Sequence, residues 1–306
     1  MHIEYRVTDD YDNVKVSTIL RSQLKFSRGA IRRLKRCSGL TVNEVTVRLN
    51  ALVQTGDLIR VNFVDDDQMV VPQEMPLDIL FEDEHLLAVN KPSNMLVHPL
   101  SYHLLDTLAN GVIYHWQQQG HSSKFRAASR LDKDTSGVML IAKNSYCCHQ
   151  LAGQMKNGLC RRDYLAVVEG RIAVDTGSID CPIGRPAAGS LIFGVTAQGK
   201  EAVTHYTVMQ RFANASLVKL RLETGRTHQI RVHLRHIGHP LMGDDLYGGS
   251  LELIQRQALH SWVLEFTHPV TGKHLQLEAP LPSDLTALMQ ELGGSRGTVL
   301  LLPFWD

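Results

Sequence analysis

Between residues 77 and 292, apolar runs of strand length outnumber helical ones and do not alternate with them. Such runs fall at 79–82, 86–90, 138–142, 164–168, 203–208, 217–222 and 263–267, while helical spacing is confined to 104–117, 144–155, 227–237 and 283–292. Strands with only a few helices between them predict an α+β domain, a mixed and mainly antiparallel sheet with helices on its outside. A doubly wound parallel fold needs a helix after almost every strand, and that rhythm is missing.

The residues before this region have a different texture. Residues 1–64 predict a small α/β unit of their own, with a helix over 14–24 and a second one opening at Ser27. Strands follow at 40–47 and 58–63, separated by the turn Thr55-Gly56-Asp57. The acidic run Asp65-Asp66-Asp67 and the prolines at 72 and 76 mark residues 65–76 as a polar linker. Residues 293–306 form a tail that is Gly-rich and then apolar.

Charge is balanced over the whole chain, at a formal +1, but it is unevenly placed. From Arg21 to Arg36 there are seven basic residues, Arg21, Lys25, Arg28, Arg32, Arg33, Lys35 and Arg36, and no acidic one. The second helix sets Arg28, Arg32 and Lys35 on one face, a pattern that suits phosphate and equally a solvated surface. No run approaches the roughly 18 apolar residues of a membrane span, and the first residues lack the basic and apolar stretches of a secretory signal. The expectation is a cytoplasmic protein without a membrane partner. Its five cysteines form no Cys-x-x-Cys pair, so they read as reduced packing residues.

Three segments carry chemistry. The first is Ser129-Arg130-Leu131-Asp132-Lys133-Asp134-Thr135-Ser136-Gly137, a dense polar turn feeding an apolar strand. The second is Tyr164 in the strand-like Arg161-Arg162-Asp163-Tyr164-Leu165-Ala166-Val167-Val168-Glu169-Gly170. The third is Gly225-Arg226-Thr227-His228-Gln229-Ile230-Arg231-Val232-His233-Leu234; read as a helix from 227, it puts Ile230 and Leu234 on an apolar stripe and His228, Arg231 and Arg235 on a polar face. Histidines at 228, 233, 236 and 239 invite a metal reading, but no His-Glu-x-x-His occurs and no carboxylate or thiol stands among them, so no metal site is expected.

In this order the three segments resemble the motifs of the RluA-type family of pseudouridine synthases, over about residues 77–292. Val89-Asn90-Lys91-Pro92, Val97-His98-Pro99, the stretch from Gly238 to Asp244, Tyr247-Gly248 and Leu259-His260 match as well. Residues 1–64 resemble a small RNA-binding domain that such enzymes share with a ribosomal protein. The resemblance implies an enzyme that breaks the ribose–uracil bond of chosen uridines, turns the base and rejoins it through carbon 5. Nothing is oxidised or transferred elsewhere in that isomerisation, so no cofactor is implied. It further implies Asp132 as the catalytic carboxylate and Arg231 as its ionic partner, holding a buried carboxylate in its charged form. Tyr164 is implied as the residue that stacks on uracil and helps late proton removal.

By the same resemblance Arg130 fills the space the flipped uridine leaves, and Ser129, Arg226, His228, Gln229, Lys91, His98 and Leu259 bind the substrate. Ser129 departs from the family, which has His there; a changed substrate fit is expected. The implied partner is structured RNA, large-subunit ribosomal RNA ahead of transfer RNA, with Arg21, Lys25, Arg28, Arg32, Arg33 and Lys35 contacting it. A monomer is expected. The rival readings are a ribosome-assembly factor that binds RNA without chemistry, and a metal-dependent hydrolase using the histidine cluster.

Overall fold

Side chains alternate between exposed and buried along β1 (His2–Arg6), which lies antiparallel beside β4 (Leu58–Asn62). The computed structural model describes residues 2–37, 39–63, 70–187, 189–190 and 192–293. The linker residues 64–69, the tail from 294, and the side chains of Arg28, Arg33, Lys35, Arg36 and Cys37 lie outside the described residues. The amino-terminal sheet runs β1-β4-β2-β3, with β2 at Leu40–Val42 and β3 at Val45–Thr46. Helices α1 (Val16–Ser22) and α2 (Arg28–Cys37) bury Val16, Ile19, Leu20, Ile31 and Leu34. Ser27 caps α2, its Oγ accepting from the Ala30 N–H at 3.2 Å.

Two expectations change here for local reasons. The helix expected over 14–24 is shorter, because Val14–Lys15 pairs with Leu52–Val53 as strand. The strand expected at 40–47 is a hairpin whose turn residues Asn43 and Glu44 are left-handed, at φ 48° and 69°. Asn43 suits that turn because its Oδ1 accepts from the Leu58 N–H and its Nδ2 donates to Asp57.

The main body is α+β. Its elements are β5 (Ile79–Glu82), β6 (Leu86–Lys91), α3 (Leu108–Gln118), β7 (Ser136–Ala142), α4 (Ser145–Lys156), β8 (Arg161–Glu169), β9 (Thr176–Asp180), β10 (Val203–Arg211), β11 (Ala215–Leu222), α5 (Gln229–His236), β12 (Leu259–Thr267), β13 (His274–Glu278) and α6 (Ser283–Gly293). The strands order as β9-β10-β11-β8-β12-β7-β6-β5, with β13 beside β12. These neighbours pair antiparallel except β12 and β7, which meet in parallel at His260–Ser136 and Ser261–Gly137.

Strand β7 is buried at every position. Its Met139 and Ile141 pack with Leu87 and Val89 in one core beside α3, and its Val138, Leu140 and Ala142 pack with Leu86 and Ala88 in a second core beside α4. Burial on both faces explains why its sequence is a continuous apolar run. The second core also takes in the amino-terminal unit: Phe26 meets Tyr146 at 4.8 Å between ring centres, and Gln150 Nε2 donates to the carbonyls of Leu24 and Lys25.

The parallel contact between β7 and β12 depends on one glycine. Gly137 has φ +112°, and a Cβ there would lie 2.1 Å from the Ser261 carbonyl oxygen. Gly137→Ala should therefore cost about 2–4 kcal/mol from clash and backbone strain together. Denaturant unfolding of the variant reads this, and an unchanged midpoint would refute the packing account.

Helix starts are set by caps. Helix α3 begins four residues later than its periodicity suggests, because Thr107 and Asn110 form a capping box after the left-handed Asp106. Helix α4 starts where Asn144 accepts from the Cys147 N–H at 2.8 Å. Helix α5 begins at Gln229 instead of 227, because His228 is left-handed at φ 54°.

Candidate active site

Loop 128–135 runs into β7, and turn 223–228 runs into α5. Between them, Arg162 and Tyr164 of β8, Leu259 at the start of β12 and Ala152, Met155 and Lys156 at the end of α4 complete an open cleft of about 580 Å³. Asp132 lies in its wall with 29 % of its side chain exposed.

Buried cations hold the loop that carries Asp132. Lys91, fully buried at the end of β6, donates from Nζ to the carbonyls of Pro92, Met95 and Lys133 at 2.7, 3.0 and 2.9 Å. Arg256 donates from Nη1 to the Asp134 carbonyl at 3.1 Å and is itself fixed by Asp284 at 2.6 Å. Gln257 adds a bond to the Thr135 hydroxyl at 3.2 Å. Lys91 was expected to bind substrate; its donors are spent on backbone, and it does not reach the cleft. It positions the Asp132 loop.

Burial pushes the Lys91 pKa down to about 7, against the pull of Asp134 and Asp132. Unfolded, the same lysine keeps its proton to about 10.4. Between these values the unfolded chain binds the extra proton, so this group makes stability rise with pH. Wild type should thus gain stability over Lys91→Met on going from pH 6.5 to pH 9, measured by urea unfolding. A difference that stays flat with pH contradicts the assignment.

On the opposite wall α5 presents Arg231. Its Nη1 reaches Asp132 Oδ2 at 3.3 Å, but its stronger bonds go elsewhere: Nε and Nη2 grip Asp244 at 2.7 and 2.8 Å. Asp244 has no exposed side-chain surface, and Gly243 makes its position possible, since a Cβ there would fall 2.0 Å from the Arg256 carbonyl oxygen. The arginine also lies over the Tyr247 ring at 4.9 Å. Burial works against its charge, but the hydrogen bonds and charge of Asp244, with Asp132 behind, hold its pKa above the ordinary value. The expected partnership of Arg231 and Asp132 is present geometrically, with one correction: the buried carboxylate is Asp244, and Asp132 is part-exposed.

His228 joins the same cluster. Its Nδ1 lies 2.9 Å from the Tyr247 hydroxyl and its Nε2 3.9 Å from Asp132 Oδ2. Burial, helped by Arg231, lowers its pKa against the pull of Asp132 and Asp244. A neutral ring accepting the Tyr247 proton at Nδ1 turns Nε2–H towards Asp132. Its left-handed backbone, unusual for a residue with a Cβ, is what brings the ring there.

Tyr164 is 8 % exposed and lines the cleft. Burial raises its pKa, so the phenol keeps its proton at neutral pH and a base role would first need an opposed deprotonation. Leu259, 4 % exposed, adds an apolar wall. Arg130 is exposed at the rim, and Arg226 donates from Nε to the Glu201 carbonyl at 2.8 Å while lining the cleft, as Ser129 does.

Gln229 also lines the cleft, but its amide is committed internally: Oε1 accepts from the Thr224 hydroxyl and the Arg226 N–H, and Nε2 donates to Val203 and Thr204. It builds the turn and offers substrate nothing. His98 lies outside the cleft lining, edge-on to Phe125 at 4.9 Å, with its pKa lowered by burial and by nearby Arg130. His233 is buried between Thr204 and the Cys181 carbonyl, and His239 bonds the Glu169 carbonyl. Among the described residues no group of three or more His, Cys, Asp or Glu is placed to hold a metal ion. On the amino-terminal unit Arg21, Lys25 and Arg32 are exposed.

Sequence reasoning missed Asp244, Tyr247, Arg256 and Arg162. Asp244 and Tyr247 stand in segments already noted as matches, but nothing local marked an aspartate 13 residues beyond Arg231 as its partner.

Comparison with known proteins shows the family of this chain. The family model described as RNA pseudouridylate synthase matches residues 85–236. A protein of Bacillus subtilis (strain 168) called uncharacterized RNA pseudouridine synthase YjbO is 41 % identical, covering 90 % of this chain and 95 % of its own length. The ribosomal large subunit pseudouridine synthase D of Nitrosomonas europaea is 37 % identical over 95 % of this chain and 88 % of its own. Among solved structures, human RNA pseudouridylate synthase domain containing 1 superposes with a TM-score of 0.58 at 27 % identity, over 70 % of this chain and 87 % of the other.

Proposed function

The chain belongs to the RNA pseudouridylate synthase family, and on that premise we propose that it isomerises uridines of large-subunit ribosomal RNA with Asp132 as the working carboxylate. It is an RNA-modifying isomerase. The observation that carries the role of Asp132 is its setting: a part-exposed carboxylate in a cleft wall, on a loop tied down by Lys91 and Arg256, with Arg231 Nη1 at 3.3 Å.

The target uridine leaves its stack, at a cost of a few kcal/mol, and enters the cleft. Tyr164 offers the uracil an aromatic face, and Leu259 adds apolar surface to the same cleft. Asp132 then supports opening of the bond between C1′ of the ribose and N1 of the base, as carboxylates do where positive charge develops on a sugar. Arg231 holds that carboxylate in place, and Asp244 holds Arg231. The base turns, C5 bonds to C1′, the C5 proton passes to water and N1 takes one up, which completes an isomerisation with no net gain or loss of atoms.

Ribosomal RNA leads because the relatives whose names state a substrate are named for the ribosomal large subunit. Arg21, Lys25 and Arg32 supply cationic surface for such an RNA, and the cytoplasm is where it would be met. No helix among the described residues is long and apolar enough to cross a membrane. Unmodified large-subunit ribosomal RNA and transfer RNA, both transcribed in vitro, should be incubated with the protein and mapped for pseudouridine by carbodiimide adducts. Stops confined to the ribosomal transcript are expected; modification of transfer RNA alone would overturn the substrate assignment.

A further inference from the structure

Arg162 lines the cleft beside Tyr164. It stands two residues before Tyr164 on β8, so both side chains leave the same face, about 7 Å apart. Its Nη2 donates to the carbonyls of Leu222, Glu223 and Thr224 at 3.2, 3.1 and 3.4 Å, which ties the turn ahead of α5 to the floor of the cleft. Its Nε is buried without a hydrogen-bond partner. Among the described residues no acceptor lies at hydrogen-bond distance from its Nη1 and no carboxylate at ion-pair distance from its charge, unlike Arg161 beside it, which pairs with Asp163 and Glu265 at 2.8 Å. Gly225 leaves room for it: a Cβ there would come within 3.2 Å of Nη1.

A guanidinium in a cleft wall with unmet donors and unmet charge is arranged for an anion. Resting on the reading that Tyr164 faces the uracil, we propose that Arg162 binds a phosphate flanking the target uridine. The spacing fits, because about 7 Å along one strand face is roughly the reach from a base to its own backbone phosphate. Arg162 thereby couples two tasks. It fixes the turn that carries Arg226 and His228, and it anchors the nucleotide whose base lies on Tyr164.

The test uses the full chain and a short RNA containing a mapped target uridine. Three RNAs are compared: unmodified, and with a neutral methylphosphonate on the 5′ or on the 3′ side of that uridine. Wild type, Arg162→Gln and Arg162→Lys are assayed for Kd, KM and kcat, with melting temperatures taken first to establish folding. Arg162→Gln should weaken Kd and raise KM by about 10- to 100-fold, the range for a charge-assisted hydrogen bond, and should flatten the salt dependence of binding by roughly 0.7 in log–log slope. One of the two neutral linkages should weaken wild type by a similar factor and add nothing in Arg162→Gln. Arg162→Lys should restore the salt slope but only part of the affinity. Losses that add fully at both linkages, or an unchanged Kd with a collapsed kcat, would overturn the proposal and leave Arg162 as a brace of the turn. Because Kd is read separately from product, wild type that binds but makes no pseudouridine would sink the catalytic reading while still deciding the phosphate contact.

Discussion

Asp132→Asn should lose pseudouridine formation by on the order of 10⁴-fold or more, the scale on which removing a central catalytic group acts. RNA affinity should be unchanged or slightly tighter, since a carboxylate in a cleft that receives phosphates repels them. The substitution is nearly isosteric. The loop is held by Lys91, Arg256 and Gln257 acting on residues 133–135 and not on the Asp132 side chain, so its conformation should survive. Initial rates and filter binding on one RNA separate the two effects. Turnover near wild type would show that Asp132 is not the working carboxylate.

Arg231→Met should be the most damaging single change to stability. Asp244 is fully buried and its bidentate grip is on Arg231, so the variant strands a carboxylate away from water. Breaking such a pair by removing one partner costs about 3–5 kcal/mol, far more than an exposed ion pair contributes. Replacing both partners, as Arg231→Met with Asp244→Leu, should recover much of that loss, because an apolar pair leaves nothing unsatisfied. Activity should not return with it, since Asp132 still lacks the guanidinium at 3.3 Å. Urea midpoints beside initial rates decide this. Recovery of both together would mean that Arg231 serves only the fold, and a single variant as stable as wild type would remove the buried-pair account.

The sheet of the main body was legible because most of its strands are long apolar runs buried on both sides, as β7 is. Strands β1, β9 and β13 were not, since their alternating or part-exposed residues give a weaker signal than continuous burial. Helix α3 was placed too early because Leu104 and Leu105 extend its apolar pattern, although both are exposed and the cap at Thr107 decides the start. At the site, motif order brought Asp132, Tyr164 and Arg231 to one cleft. It could not say which polar side chains were already satisfied. Lys91 and Gln229 read as substrate ligands until their donors and acceptors are counted, and then they read as parts of the scaffold. Asp244 escaped because pairing across a turn is a tertiary fact, and a lone aspartate carries no periodic signature.

On the proposed function, this cleft turns uridine into pseudouridine, with Asp132 as the group that does so. RNA labelled with tritium at C5 of uridine tests it directly, because forming the new C5–C1′ bond releases that hydrogen to water. The purified protein should release label from unmodified large-subunit ribosomal RNA, and the Asp132→Asn variant should release none above background. No release from either protein, despite tight binding of the same RNA, would contradict the account and leave an RNA-binding factor.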